Sequence, residues 1–187
     1  MNPSVRRTGP LDRGERRTLL GLCVVASMTA LIGIGTKSFW FDEGYSAELA
    51  RQPVGTWWRL LFEQEGGALL HAVLLKPWLA VSDADGWLRF LSVPFAVGQV
   101  VLTYFVARRV IGAGAWAAAL ALAVNGAFVQ YAQEGRAYAM ASFFVLAAAL
   151  AFLRAVERPE WSRLTVFAAL AVVCPLAHLY TVPFVVA

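Results

Sequence analysis

Five apolar stretches, each close to the thickness of a bilayer, constrain this chain more than any other feature. A helix needs about 20 predominantly apolar residues to cross the hydrocarbon. Thr18–Thr36, Gly86–Ala107, Ala113–Val129, Ala137–Leu153 and Leu164–Tyr180 read as such spans. Only Arg89 interrupts the second, near its start, and Pro175 and His178 lie near the end of the fifth. Strands of a lipid barrel would alternate in polarity, and these stretches do not, so helix is the expected form. Hydrophobic residues make up 59% of the 187 residues and charged residues only 15%. A soluble domain of this length fills its core with less, so the surplus is expected to face lipid. The fold class read here is all-α, a polytopic membrane helical bundle.

Charge between the stretches sets the expected orientation. Arg6, Arg7, Arg13, Arg16 and Arg17 precede the first span, and the positive-inside rule places them in the cytoplasm. Alternation then puts Arg108 and Arg109 inside, followed by Arg154, Arg158 and Arg163. The inside receives ten bases against four acids and the outside six against eight, which reproduces the net charge of +4. The first stretch is longer than the ~7–15-residue core of a signal peptide, and no small-x-small cleavage site followed by a soluble domain succeeds it, so an uncleaved anchor is expected. Five arginines beside a membrane helix are explained by topology, and no nucleic-acid partner is expected. Cys23 and Cys174 lie within apolar stretches with no CxxC spacing and read as packing residues.

Between the first two spans, Lys37–Asp85 is too long for a simple connection. It carries Trp40, Trp57, Trp58 and Trp78 together with Phe39, Phe41 and Phe62, residues suited to a membrane–water interface. Glu43–Arg51 and Val54–Glu63 each read as amphipathic helices broken apart by Pro53, and Leu69–Val81 as a third. Helices lying on the outer surface, over a water-accessible cavity, are the expected arrangement. Glu65-Gly66-Gly67 reads as an interhelical turn, with close approach of a ligand as the alternative.

Two polar clusters fall at the outer ends of these spans. Asp42-Glu43 follows Trp40-Phe41 and precedes Tyr45. Acids there can simply mark the water boundary, but desolvation at an apolar margin also raises a carboxylate pKa toward that of a useful general base. Gln130–Tyr138, between spans three and four, contains Tyr131, Glu134, Arg136 and Tyr138. Arg89 begins span two at the same level, and His178 with Tyr180 ends span five there. Snorkelling or interface anchoring explains each alone. Together they place acidic, cationic and phenolic groups on one side, while the other side shows only Arg-rich turns.

Trp40-Phe41-Asp42-Glu43-Gly44-Tyr45 resembles the Trp-x-Asp-Glu signature in the first outer loop of GT-C glycosyltransferases. Within that fold it is similar to the bacterial group related to protein mannosyltransferases and to the aminoarabinose and lipopolysaccharide-core transferases. Ala68–Leu79 resembles their interfacial helix, Trp87–Pro94 the start of their second span, and Arg108–Gly112 their inside turn. Gln130–Met140 is close to their Tyr-Ala-Gln-Glu-Ala-Arg-x-Tyr-Ala-Leu. The resemblance implies a GT-C-like bundle in the bacterial cytoplasmic (inner) membrane, N-terminus cytoplasmic and active site on the outer face. It implies transfer of a sugar from a polyprenyl-phosphate donor to a protein or glycan acceptor. Asp42 is then the catalytic carboxylate with Glu43 in support, Arg136 and Arg89 meet the donor phosphate, and Glu134, Tyr138, Tyr131 and His178 line the pocket. Some enzymes of this fold use a divalent cation, so Mg or Mn at the acidic pair is left open.

The chain ends at Val185-Val186-Ala187, where a sixth apolar segment begins, and the group has more spans than these, so the expectation is the N-terminal part of such a fold. The alternatives are a non-catalytic membrane assembly subunit and a transporter. The transporter reading fits less well, because intramembrane ionisable groups near the midplane are missing from these spans. The catalytic reading requires that Asp42 and Arg136 share one pocket.

Overall fold

The computed structural model describes residues 9–64 and 67–186. Arg6, Arg7, Glu65, Gly66 and Ala187 therefore lie outside the described residues. Regular structure among the described residues is entirely helical, with no strands.

Helix α1 (Arg13–Leu31) starts five residues before the apolar stretch that suggested it. Asp12 accepts the Glu15 backbone N–H at 2.8 Å and Glu15 accepts that of Asp12 at 3.0 Å, a reciprocal cap. The helix stops at Leu31, and Gly33, with φ +76°, turns the chain where the expected span would have continued to Thr36. Gln133 Nε2 donates to the freed carbonyls of Thr29 and Ile32 at 2.8 and 2.7 Å.

Two segments are long and apolar enough to cross a membrane. The first joins α5 (Asp85–Phe90) to α6 (Ser92–Val110), and the second is α9 (Tyr138–Glu157). At a rise of 1.5 Å per residue they measure about 39 and about 30 Å. The third expected span is broken rather than straight. Helices α7 (Ala115–Ala123) and α8 (Gly126–Ala132) meet at a bend of 63° and make one further crossing only if taken together. Asn125 causes the break: its side chain caps the N–H groups of Ala127 and Phe128 at 3.0 and 3.2 Å and restarts a helix in a new direction. The Ala123 carbonyl left behind accepts from Thr29 Oγ1 at 3.0 Å. The other two expected spans fall short: Glu15, Arg16 and Arg17 occupy the start of α1, and α10 (Trp161–Ala177) has 17 residues. A 3₁₀ turn at Leu179–Thr181 then leads into α11 (Val182–Val186).

Small residues let these helices approach closely, which matters where lipid supplies no hydrophobic drive for helices to associate. Ala26, Ala30, Ala96, Ala119 and Ala123 are buried where α1, α6 and α7 meet. A Cβ at Gly98 of α6 would lie 2.6 Å from the Phe143 ring of α9. At one end of the bundle Arg108 pairs with Glu15 at 2.8 Å and Arg109 with Glu157 at 3.5 Å.

The opposite end is covered by α2 (Phe41–Arg51), α3 (Val54–Gln64) and α4 (Leu69–Leu79), within the segment expected to hold interfacial helices. Helix α3 buries Trp57 and Leu61 and exposes Trp58 and Phe62, an amphipathic division. Lys76 donates to the carbonyls of Ala50 and Gln52 at 2.9 and 2.6 Å, closing the end of α2. Trp78 and Trp87 stack at 4.3 Å, and each indole N–H donates to the other's backbone carbonyl, at 2.8 and 2.9 Å. That clasp ties α4 to α5 and pairs both of these indole donors in an apolar setting.

Candidate functional site

Helix geometry divides the Asp42-Glu43 pair. Successive residues point about 100° apart, so when Glu43 turns inward Asp42 faces out. Glu43 is 1% exposed. Its Oε1 accepts from Arg89 Nε at 3.0 Å and from the Gly135 N–H at 2.7 Å, and its Oε2 from Arg89 Nη2 at 2.8 Å and the Trp40 N–H at 3.2 Å. Arg89, also 1% exposed, gives Nη1 to the carbonyls of Ile34 and Lys37, both at 2.9 Å, and the rest of Nη2 to that of Ser38 at 3.1 Å. All five guanidinium N–H groups are thereby engaged.

This corrects two expectations. Burial is the largest influence on Glu43 and does raise its pKa. Hydrogen bonds from Arg89, Gly135 and Trp40, with the Arg89 charge, nevertheless hold the carboxyl below its ordinary 4.5. An ionised carboxylate with four bonded donors is a poor base, and an arginine with no spare donor cannot take a phosphate. Glu43 and Arg89 act instead as a bolt joining the turn after α1, helix α2, helix α5 and the α8–α9 turn. Sequence placed both at the right level but could not show that they neutralise each other.

Asp42 is exposed, and its carboxylate makes no hydrogen bond among the described residues. It lines a hollow of about 970 Å³ together with Glu134, Arg136, Tyr131, Tyr138 and His178, and Glu43 forms part of the wall. Arg89 lies behind that wall. Arg136 Nη1 donates to Ser46 Oγ at 2.5 Å and to the Asp42 backbone carbonyl at 3.3 Å, so the arginine is held against the helix that bears the aspartate. Glu134 accepts from Gln130 Nε2 at 3.0 Å, and its backbone carbonyl accepts from Ser92 Oγ at 2.6 Å. The rings of Tyr131, Tyr138, His178 and Tyr180 form a continuous series with centroid separations of 5.0, 5.6 and 4.7 Å.

Away from this polar end the hollow becomes apolar. Tyr138, Ala141, Ser142, Val145 and Leu146 follow at helical spacing along one face of α9, and Phe184 of α11 adds to the wall. From Tyr138 to Leu146 that face extends about 12 Å. A charged head and an apolar tail on one molecule would match the two ends.

Two contributors were missed in the sequence. Ser46 lies four residues after Asp42, and on a helix that spacing gives a shared face, so its signal was readable. Gly135 had none: a Cβ there would stand 1.7 Å from Leu88 Cδ2, a contact created only by packing of α5 against the turn. Among the described residues, no group of three or more His, Cys, Asp or Glu side chains is placed to hold a metal ion. No protein-family model, curated protein or solved structure matches the chain.

Proposed function

We propose that this chain forms the substrate site of a GT-C-like membrane glycosyltransferase, moving a sugar from polyprenyl phosphate to a hydroxyl of a protein or glycan. The observation that carries the reading is one hollow lined by both the exposed Asp42 and Arg136, whose guanidinium donates to the Asp42 backbone carbonyl, above an apolar groove. In the orientation read from the loop charges, this end faces outward from the bacterial cytoplasmic membrane. The acceptor oxygen attacks the anomeric carbon as the bond to the phosphate oxygen breaks, and the acceptor proton passes to Asp42. Charge grows on the departing polyprenyl phosphate, so a fixed guanidinium stabilises the transition state more than the ground state. Glu43 serves by holding α2 in place and Arg89 by holding Glu43. With Glu43 saturated, Asp42 and Glu134 are the carboxylates left to ligate a divalent cation, which when bound would neutralise phosphate charge.

A transporter would place ionisable groups at its broken helix. The break between α7 and α8 instead carries Asn125, whose side chain is used as a helix cap. The test is transfer from polyprenyl-phosphate mannose by membranes containing the protein. Asp42→Asn is expected to lower transfer by about 10²–10⁴-fold, the usual weight of a general base, with membrane insertion unchanged. Undiminished transfer would reduce Asp42 to a boundary marker.

A further inference from the structure

Further along α2 from the hollow lies a small cavity of about 10 Å³, bordered by Ser46, Leu49, Trp57, His71, Ala72 and Leu75. Two of these side chains carry a buried nitrogen without a hydrogen-bond partner, Trp57 Nε1 and His71 Nε2. Both residues are 4% exposed. Buried polar groups left unpaired are uncommon, because each forfeits its hydration with nothing in return. The third polar neighbour is Ser46, whose Oγ accepts from Arg136. A space of roughly 10–15 Å³ admits one water, provided two to four polar partners surround it. Three are present.

We infer that one buried water fills this cavity, accepting from Trp57 Nε1–H and the Ser46 hydroxyl and donating to His71 Nε2, and that His71 thereby positions Arg136. The Ser46 oxygen carries one proton and two lone pairs. The water fixes the direction of that proton, which leaves a lone pair aimed at the Arg136 guanidinium. His71 acts through the water and Ser46 and touches no substrate. The role requires a neutral imidazole, and the surroundings supply it. Burial, followed by the charges of Arg136 and His178, brings the His71 pKa down from 6.5 to about 3. A charged ring at this place could not accept the water's proton and would repel the arginine it serves.

The positioning role rests on the proposed phosphate site, whereas the water does not, so two measurements separate them. In the full chain held in lipid nanodiscs, ¹⁵N-histidine spectra are expected to place the His71 proton on Nδ1 with Nε2 as a hydrogen-bonded acceptor. The Trp57 indole proton should show a cross-peak to a bound water. An Nε2-protonated His71, or a Trp57 indole with no water contact, overturns the inference.

The second measurement is affinity for a short-chain polyprenyl phosphate. His71→Leu is expected to weaken it about tenfold, the equivalent of one well-formed hydrogen bond. His71→Gln, whose amide oxygen can accept from the same water, should stay close to wild type. Equal loss in both variants, or loss in neither, contradicts a positioning role. Wild-type protein that ignores the probe removes the proposed function and that role with it, while the spectra still decide the water.

Discussion

Glu43→Gln keeps the shape of the side chain and removes the charge that binds Arg89. The carboxylate now meets four donors: Arg89 Nε, Arg89 Nη2 and the backbone N–H groups of Gly135 and Trp40. An amide has one acceptor oxygen, so in either orientation its NH₂ faces two of those donors. A buried group left unpaired costs about 1–3 kcal/mol. Breaking a buried ion pair by removing one partner costs about 3–5 kcal/mol. Two such donors come to about 2–6 kcal/mol, a range that brackets the ion-pair figure for the same loss, so a fall in unfolding free energy of about 3–5 kcal/mol is expected. Denaturant unfolding in mixed micelles, followed by tryptophan fluorescence, measures it. Asp42→Asn is the control, because an exposed carboxylate with no hydrogen bond should change stability by less than about 0.5 kcal/mol. Acid supplies a second signature. The folded Glu43 carboxyl lies below 4.5, so its contribution is complete above that pH and is lost as pH falls through the folded value. The variant should lack that part of the acid limb. Equal stability of Glu43→Gln and Asp42→Asn would refute the bolt.

Gly135→Ala should destabilise the fold by about 1–3 kcal/mol, the range for overpacking, since Leu88 is 2% exposed and has little room to retreat from the new methyl. His71 makes wild-type stability sensitive to mild acid. Its folded pKa of about 3 lies beneath the ordinary 6.5, so its contribution is full above 6.5 and declines as pH falls toward 3. Between pH 7 and pH 5 the loss from this group is about 2 kcal/mol, and His71→Gln should abolish that slope in pH-dependent unfolding.

The helices covering the site were legible because their signals are local. Trp57 and Leu61 recur at helical spacing, Pro53 separates α2 from α3, and the structure runs these helices at Phe41–Arg51, Val54–Gln64 and Leu69–Leu79. Hydropathy was a poorer guide to where the long helices begin and end. It could not weigh the reciprocal cap of Asp12 and Glu15 that starts α1 early, nor the cap at Asn125 that bends the third stretch. At the site, the pattern of polar residues brought Asp42 and Arg136 to the same level, and they do line one hollow. The sign of the Glu43 shift was unreadable for a physical reason. Desolvation follows from local apolar neighbours, whereas the opposing partners, Arg89 and Gly135, stand 46 and 92 residues away in the chain.

Whether Arg136 holds a lipid phosphate in the hollow that Asp42 faces is tested most directly by binding of a short-chain polyprenyl phosphate to nanodisc-held protein. Charge-assisted hydrogen bonds are worth about 1.5–3 kcal/mol, so Arg136→Gln should weaken binding about 10–150-fold, while Asp42→Asn binds at least as tightly as wild type. Wild-type affinity in Arg136→Gln, with the fold intact, would contradict the assignment.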